Sequence, residues 1–251
     1  MIRFPSWSGR LLLGHGWALY VGPAGDTRSH AHHAILIAVG RSRPVELWTT
    51  DGLLHSGGAI LVPPDVPHCL RGGGDPMAVL FLEPESAFGR DCLAAHTAPC
   101  PRILDETHAE ALRASIPGVD SEEALHGVLH ELTGSDDSRT ALLDPRVRKV
   151  ICWLKEAGGV GSLDAAARAH GLSASRLGHL FSAQVGLPFR PFALWLRLQG
   201  ALAHMAKGAN LTEAAHGAGF ADSAHLTRTF RRMFGVAPSD LARSISLLSR
   251  Q

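Results

Sequence analysis

Residues 29–40 read SHAHHAILIAVG, three histidines within four positions followed at once by an apolar run. Imidazoles at this density can bind a divalent metal through ring nitrogens. They can also line the mouth of a binding pocket, or simply cap a strand end. Along an extended segment successive side chains alternate, so His30 and His32 share one side and His33 takes the other. The downstream chain has to choose among these three chemistries.

A second candidate chemistry lies in the back half. AARAHGL (166–172) lies over AAHGAGF (214–220), and LFSAQVG (180–186) over TFRRMFG (229–235). Each copy reads as a short Ala-rich helix, a tight turn at Gly171 or Gly219, and a second helix starting on Ser or Asp. This is the pattern of a helix-turn-helix: small residues let the second helix cross closely, and Gly accepts the turn's backbone angle. Between the copies RPFALWLRLQGALAHMAKG reads as one long helix with Phe192, Trp195, Leu196 and Leu202 toward a core. Such a connector could hold two recognition helices one turn of B-DNA apart, in successive major grooves.

Charge follows the same division. The 251 residues carry a net charge of +1, but residues 1–144 hold 10 Lys and Arg against 18 Asp and Glu, a balance of −8. Residues 145–251 hold 14 against 5, a balance of +9. The basic half suits a polyanion and the acidic half a different partner. No apolar stretch approaches the roughly 20 residues needed to cross a bilayer, and the start lacks a signal-peptide pattern, so a soluble, cytoplasmic protein without a membrane partner is expected. Cys69, Cys92, Cys100 and Cys152 show no CxxC or zinc-ribbon spacing and are expected as free thiols.

The elements that must position these residues can be read coarsely. HAILIAV, VELWTT, AILVPP and MAVLFLEP are short apolar runs separated by VGPAGD, TTDG, HSGG and RGGGDP, which is strand-and-turn grammar. An antiparallel sandwich or barrel is expected over about 10–100. DETHAEALRASI and SEEALHGVLHELTG then read as amphipathic helices within 105–133, with Ser121 as N-cap and Leu125, Val128, Leu129 and Leu132 as the apolar stripe. That stripe needs cover, from the chain's own barrel or from a second copy through these helices in a homodimer. GSDDSRT leads into Asp144-Pro145, an N-cap followed by Pro at the first helical position. The organisation expected is an α+β pair of domains: 1–134, a linker at 135–145, and an all-α domain at 146–251 with helix-turn-helix units at about 163–184 and 212–234.

The stretch from about 146 to 245 resembles the DNA-binding domain of AraC-type transcription regulators. GFADSAHLTRTFRRMFGVAPSDL is similar to that family's signature: Gly-Phe, a polar helix start, Arg, Phe-basic-basic, then Gly-x-x-Pro. GLSASRLGHLFSAQVGLPFRPFALWLRLQGA is similar to the upstream unit with its connecting helix. The resemblance covers roughly 100 residues. Gly217 in the helix before the second turn and Gly178 in the first recognition helix depart from it, each at about 0.5–1 kcal/mol against Ala. Gly178 would also remove a side chain from a position expected to face DNA. The outward faces would be Ser175, Arg176 and His179 in the first unit, and Ser223, His225, Thr227 and Arg228 in the second. The resemblance implies base-edge contacts from Ser175, His179, Ser223, Thr227 and Arg228, with Arg228 suited to guanine through paired donors. Arg231, Arg232, Arg197 and Lys207 are expected on phosphates.

In the front half, GDTRSHAH (25–32) resembles the first motif of the cupin barrel and GAILVPPDVPH (58–68) the second. The resemblance implies that His30, His32 and His68 converge inside a cupin-like antiparallel barrel, where they could hold a divalent metal. Metal-binding cupins add a Glu four positions after the second His; here that position is Leu36. The alternative is a pocket for an organic effector, with Trp17 and Trp48 beside the histidines, and Arg28 and His55 as further candidates. His33 is expected at the surface or satisfied by a neighbour. The reading is therefore a DNA-binding regulator, not an enzyme and with no catalytic residue, controlled by a small molecule or metal in the barrel. A cupin metalloenzyme of the dioxygenase or isomerase class with an appended helical domain is the alternative.

Overall fold

The computed structural model describes residues 7–96, 98–119, 121–133, 143–242 and 245–249. The chain divides into two compact units, Met1–Thr140 together with Phe230–Gln251, and Ala141–Thr229.

The first unit is built from short strands because the apolar runs are short and cut by Gly and Pro. They are β1 (Gly9–Gly14), β2 (Trp17–Pro23), β3 (Ile35–Gly40), β4 (Val45–Thr49), β5 (Leu54–Gly57), β6 (Ala59–Val62), β7 (His68–Arg71), β8 (Pro76–Leu82), β9 (Arg102–Ile103) and β10 (Ile245–Ser249). Seven form one sheet in the order β10-β1-β2-β8-β3-β6-β9, and β5-β4-β7 form a second. All pairs are antiparallel except β1 with β10, which runs from Gly9↔Ile245 to Leu13↔Ser249. The antiparallel strands expected over about 10–100 are thus present, arranged as two sheets. β10 was not expected from sequence, and it draws the chain beyond 230 away from the boundary read at 146–251.

Alternation sets the sheet faces. On β4, Val45 and Leu47 are buried while Glu46 and Trp48 are exposed. β3 is buried at every position because both of its faces are covered. One face carries Leu36 and Ala38, which join Val45, Leu47, Ile60, Val62, Leu70 and Val79 in a core between strands of the two sheets. The other carries Ile35, Ile37 and Val39, packed under three helices: α1 (Ala87–Ala95), α2 (Glu106–Ser115) and α3 (Glu122–Thr133). Each fully buried Leu, Ile or Val there contributes roughly 1.5–3 kcal/mol over its exposed state.

The caps read from sequence are in place. Asp105 Oδ1 accepts from the His108 N–H at 3.0 Å, and Ser121 Oγ from the Ala124 N–H at 3.2 Å. Leu125, Val128 and Leu129 of α3 lie in the same core as Ala109, Leu112, Ile35 and Leu80. Three residues of the apolar stripe that suggested a homodimer through 105–133 are therefore covered within the chain's own unit, while the side chain of Leu132 lies outside the described residues. All four cysteines are free.

The second unit runs α4 (Pro145–Glu156), α5 (Leu163–Ala169), α6 (Ala174–Val185), α7 (Phe189–Ala206), α8 (Leu211–Gly217) and the start of α9 (Ser223–Phe234); α10 (Pro238–Ala242) follows. Most of the linker expected at 135–145, residues 135–142, lies outside the described residues. Caps punctuate the helices: Asp144 before Pro145, Ser162, Ser173, and at Asn210 a capping box closed by Glu213. Gly171 and Gly219 turn the chain at φ 66° and 74°, the left-handed angle that glycine adopts at no steric cost. Phe181 packs against Phe189 and Phe192 at ring separations of 5.6 and 5.3 Å, tying α6 to α7. Phe192, Trp195, Leu196 and Leu202 are buried as read from sequence. Among the described residues, no helix is long and apolar enough to cross a membrane.

Candidate effector site and candidate nucleic-acid interface

In the first unit the histidines precede β3 instead of lying on it, because residues 31–34 form no regular strand. His30 is held by a two-bond bridge to His68, each backbone N–H donating to the other's carbonyl at 2.9 Å. This bridge brings the two sequence motifs together. The rings of His30, His32 and His68 lie at centroid separations of 4.3–5.5 Å, and one ring nitrogen of each falls within 4.8 Å of the others. All three are buried.

Ring orientation is fixed locally. Nδ1 of His30 is 2.9 Å from the Arg28 carbonyl oxygen, Nδ1 of His32 is 3.0 Å from that of Ala34, and Nδ1 of His68 is 2.8 Å from that of Val66. A carbonyl only accepts, so each Nδ1 carries the proton and each Nε2 keeps its lone pair. Nε2 of His68 is buried with no hydrogen-bond partner among the described residues. Burial, reinforced by the His68 charge, pushes His30 down to about 3. The same causes, with His30 added, hold His32 well below the ordinary imidazole range, and burial lowers His68. The cluster presents neutral nitrogen acceptors, with side-chain N–H donors turned away. Phe81 and Phe234, both of this unit, stand edge-on and tilted to the His32 ring at 5.4 and 6.1 Å.

His33 is not a surface residue. It is 3% exposed, with Nδ1 3.3 Å from Asp65 Oδ2 and Nε2 3.6 Å from Glu85 Oε2. Burial alone would lower its pKa; hydrogen bonds and charge from the two carboxylates overcome this and hold it up at about 9. The Asp65 backbone N–H also donates to the His32 carbonyl at 2.9 Å, so the Pro63–Pro67 turn is tied to the histidine segment twice.

Two expected pocket residues are elsewhere. Trp17 lies in the core under the helices, on the opposite sheet face from Leu36 and the inter-sheet core. Trp48 is 38% exposed on the outer side of the smaller sheet. Both follow from the phase of strand alternation, since a shift of one residue exchanges the faces. Phe81, Asp65 and Glu85 were missed. The apolar run around Phe81 reads only as core, and the two acids lie 32 and 52 positions from His33, the histidine they pair with.

In the second unit Ser175, Arg176 and His179 are exposed on α6, while Leu177 and Phe181 are buried. On α9, Arg228 is exposed and Leu226 buried; along the same helix past Thr229, where the chain passes to the first unit, Phe230 is buried and Arg231 and Arg232 are exposed. Ser223, His225 and Thr227 are half-buried. The Thr227 hydroxyl donates to the Ser223 carbonyl at 2.8 Å, and the His225 ring packs edge-on against Phe220 at 5.2 Å. Two glycines differ from expectation. A Cβ at Gly178 would meet Leu163 of α5 at 3.4 Å, so that position faces the neighbouring helix. Gly217 ends α8, where a Cβ would meet the His204 ring at 2.8 Å. Arg197, expected on a phosphate, donates to backbone carbonyls of Gly159 and Gly219.

Two helix-turn-helix units on a common connector, in a chain with a two-sheet front unit, define a DNA-binding transcription regulator. Residues 166–244 match the family described as a helix-turn-helix domain, and this C-terminal domain is of the AraC type. No curated protein matches the chain in sequence. Solved structures share its fold. An apo ToxT point variant from Vibrio cholerae strain SCE256 is 14% identical, with a TM-score of 0.65 over 92% of this chain and 98% of that one. Wild-type ToxT from the same strain with bound unsaturated fatty acid is 12% identical, with a TM-score of 0.60 over 95% and 99%. ToxT from Vibrio cholerae O395 is 14% identical, with a TM-score of 0.61 over 90% and 97%.

Proposed function

We propose that this chain is a cytoplasmic, non-enzymatic transcription regulator that reads duplex DNA with α6 and α9 and responds to a ligand at the His30–His32–His68 cluster. The observation that carries the reading is the paired helix-turn-helix with exposed Ser175, Arg176, His179 and Arg228. Together with Arg231 and Arg232 these residues supply base-edge and phosphate donors suited to two successive major grooves. Fluorescence anisotropy on duplexes upstream of the gene tests it. Binding that weakens steeply with salt is expected, through release of condensed counterions. Absence of binding, or binding indifferent to salt, refutes it.

The chemistry of the cluster narrows the ligand class. One ToxT structure holds an unsaturated fatty acid. A carboxylate needs donors or positive charge, and the three imidazoles here offer neutral acceptors. They suit a divalent cation of borderline softness, or a ligand bringing its own N–H or O–H donors. The buried Nε2 of His68 fits either. When bound, a metal would supply a positive centre with open positions; this chain's residues orient the rings through the carbonyls of Arg28, Ala34 and Val66 and exclude bulk water with Phe81. Nickel or zinc titration followed by calorimetry tests the metal, with His32→Ala expected to abolish uptake. Ligand binding would act on DNA affinity only through its different affinity for the two states of the protein. A homodimer in this reading uses a surface other than the buried stripe of α3.

The metalloenzyme alternative draws on the same cluster. Leu36 is buried at the position where such barrels carry an acid, leaving the site without a carboxylate there. Turnover by the metal-loaded protein would favour that alternative over a sensor.

A further inference from the structure

We infer that Arg197 is a positioning residue for DNA reading: it fixes the orientation of the two helix-turn-helix units relative to each other. The inference rests on the DNA-reading function proposed above and concerns the second unit alone.

Arg197 lies midway along α7, the helix that joins the two copies. Its Nε donates to the Gly159 carbonyl oxygen at 3.0 Å, and Nη1 to the Gly219 carbonyl oxygen at 3.5 Å. Gly159 belongs to the turn that delivers Ser162, the N-cap of α5, and so sets where the first helix-turn-helix copy begins. Gly219 is the turn between α8 and α9 in the second. One planar guanidinium therefore holds a backbone group leading into the first helix-turn-helix copy and another in the turn of the second.

The surroundings are built for this. Gly159 has φ 76°, and a Cβ there would fall 2.4 Å from the Ala193 carbonyl oxygen and 3.1 Å from Arg197 Cγ, so the turn lies directly on α7. A Cβ at Gly219 would meet Val160 Cγ2 at 2.9 Å, so the residue after Gly159 abuts the second turn. The two turns meet across Arg197. Lysine carries its donors on a single terminal nitrogen and cannot reproduce a fork that reaches two carbonyls from Nε and Nη1.

The consequence concerns spacing. Two reading heads held rigidly enter successive grooves as one body, whereas loosely held heads must be ordered at the moment of binding and lose effective concentration. The lock should therefore leave one-head binding alone and govern two-head binding.

The probe is the duplex that the full-length wild-type protein selects from a random-sequence pool, with two derivatives: one with the second half scrambled, one with a base pair inserted between the halves. Arg197→Gln and Arg197→Lys are each expected to lose about tenfold in affinity on the intact duplex and less than about twofold on the half-scrambled one. Both should also discriminate less against the insertion, with an unchanged salt slope. If Arg197→Lys behaves as wild type while Arg197→Gln weakens all duplexes with a shallower salt slope, Arg197 is a phosphate contact and the inference is wrong. Unchanged binding by both variants also overturns it. A second readout needs no DNA. Spin labels at Ala183→Cys on α6 and Ala224→Cys on α9, with the native cysteines replaced, should give a narrow distance distribution that Arg197→Gln broadens. A distribution unaffected by the substitution refutes the lock, while a wild-type protein that selects no duplex refutes the DNA reading itself.

Discussion

His33 allows a quantitative test of the first unit. Its imidazole is buried between Asp65 and Glu85 and titrates at about 9 against an ordinary 6.5. A difference of roughly 2.5 pH units at about 1.4 kcal/mol each amounts to about 3 kcal/mol of pH-dependent stability. The sign follows from the raised value: the folded state binds the proton more tightly, so the contribution is complete below about 6.5 and disappears as pH rises through about 9. Thermal unfolding, read at pH 6.0 and pH 9.5 by Trp fluorescence, should show wild type losing stability across that interval. His33→Gln keeps much of the volume and removes the charge, so its loss across the interval should be smaller by about 3 kcal/mol. Burial raises Cys92 to about 12, which gives both proteins a common decline at the alkaline end. Only the difference between them is therefore assigned to His33. Parallel pH curves for the two proteins would refute the account of the buried His33, Asp65 and Glu85 group.

The cluster beside it should behave in the opposite way. With burial holding His30 at about 3 and lowering His32 and His68, protons compete little for the ring nitrogens. Nickel affinity is expected to change less than about tenfold between pH 7.5 and 5.5, and a fall near a hundredfold in the titration would contradict it. On DNA, Arg228→Ala should cost about 1–3 kcal/mol and relax the preference at one base position, read by anisotropy against single-base variants. Arg231→Ala should weaken all sequences alike and reduce the salt slope by about 1. Phe181→Ala should lower the urea midpoint of the second unit by the equivalent of about 3–5 kcal/mol, because the ring is fully buried between α6 and α7.

Much of this architecture was legible in the residues because it is locally encoded. The caps at Asp105, Ser121 and Asp144 and the turns at Gly171 and Gly219 each depend on a few neighbouring positions. The helical repeat was legible because two copies state it twice. Features set by tertiary placement were not. Trp17 and Trp48 read as pocket candidates because composition does not reveal which face of a strand meets the core. The stripe of α3 could have served a second chain as well as its own sheet, and only packing distinguishes the two. The partners of His33 stand 32 and 52 positions away, and those of Arg197 at 38 and 22, so no sequence window contains them.

The tethers of the three imidazoles differ from these long-range partnerships. Each Nδ1 bonds a carbonyl two positions along its own segment: Arg28 for His30, Ala34 for His32, Val66 for His68. Ring direction is thus inherited from pieces of three residues, and the rest of the unit has only to bring 28–34 and 66–68 side by side. That makes the cluster portable. The two segments carry their own orientation, and any scaffold that pairs two strands in the register of His30 and His68 could receive them by grafting. Selection could likewise exchange the ligand by altering Phe81 and its neighbours while the rings keep their aim.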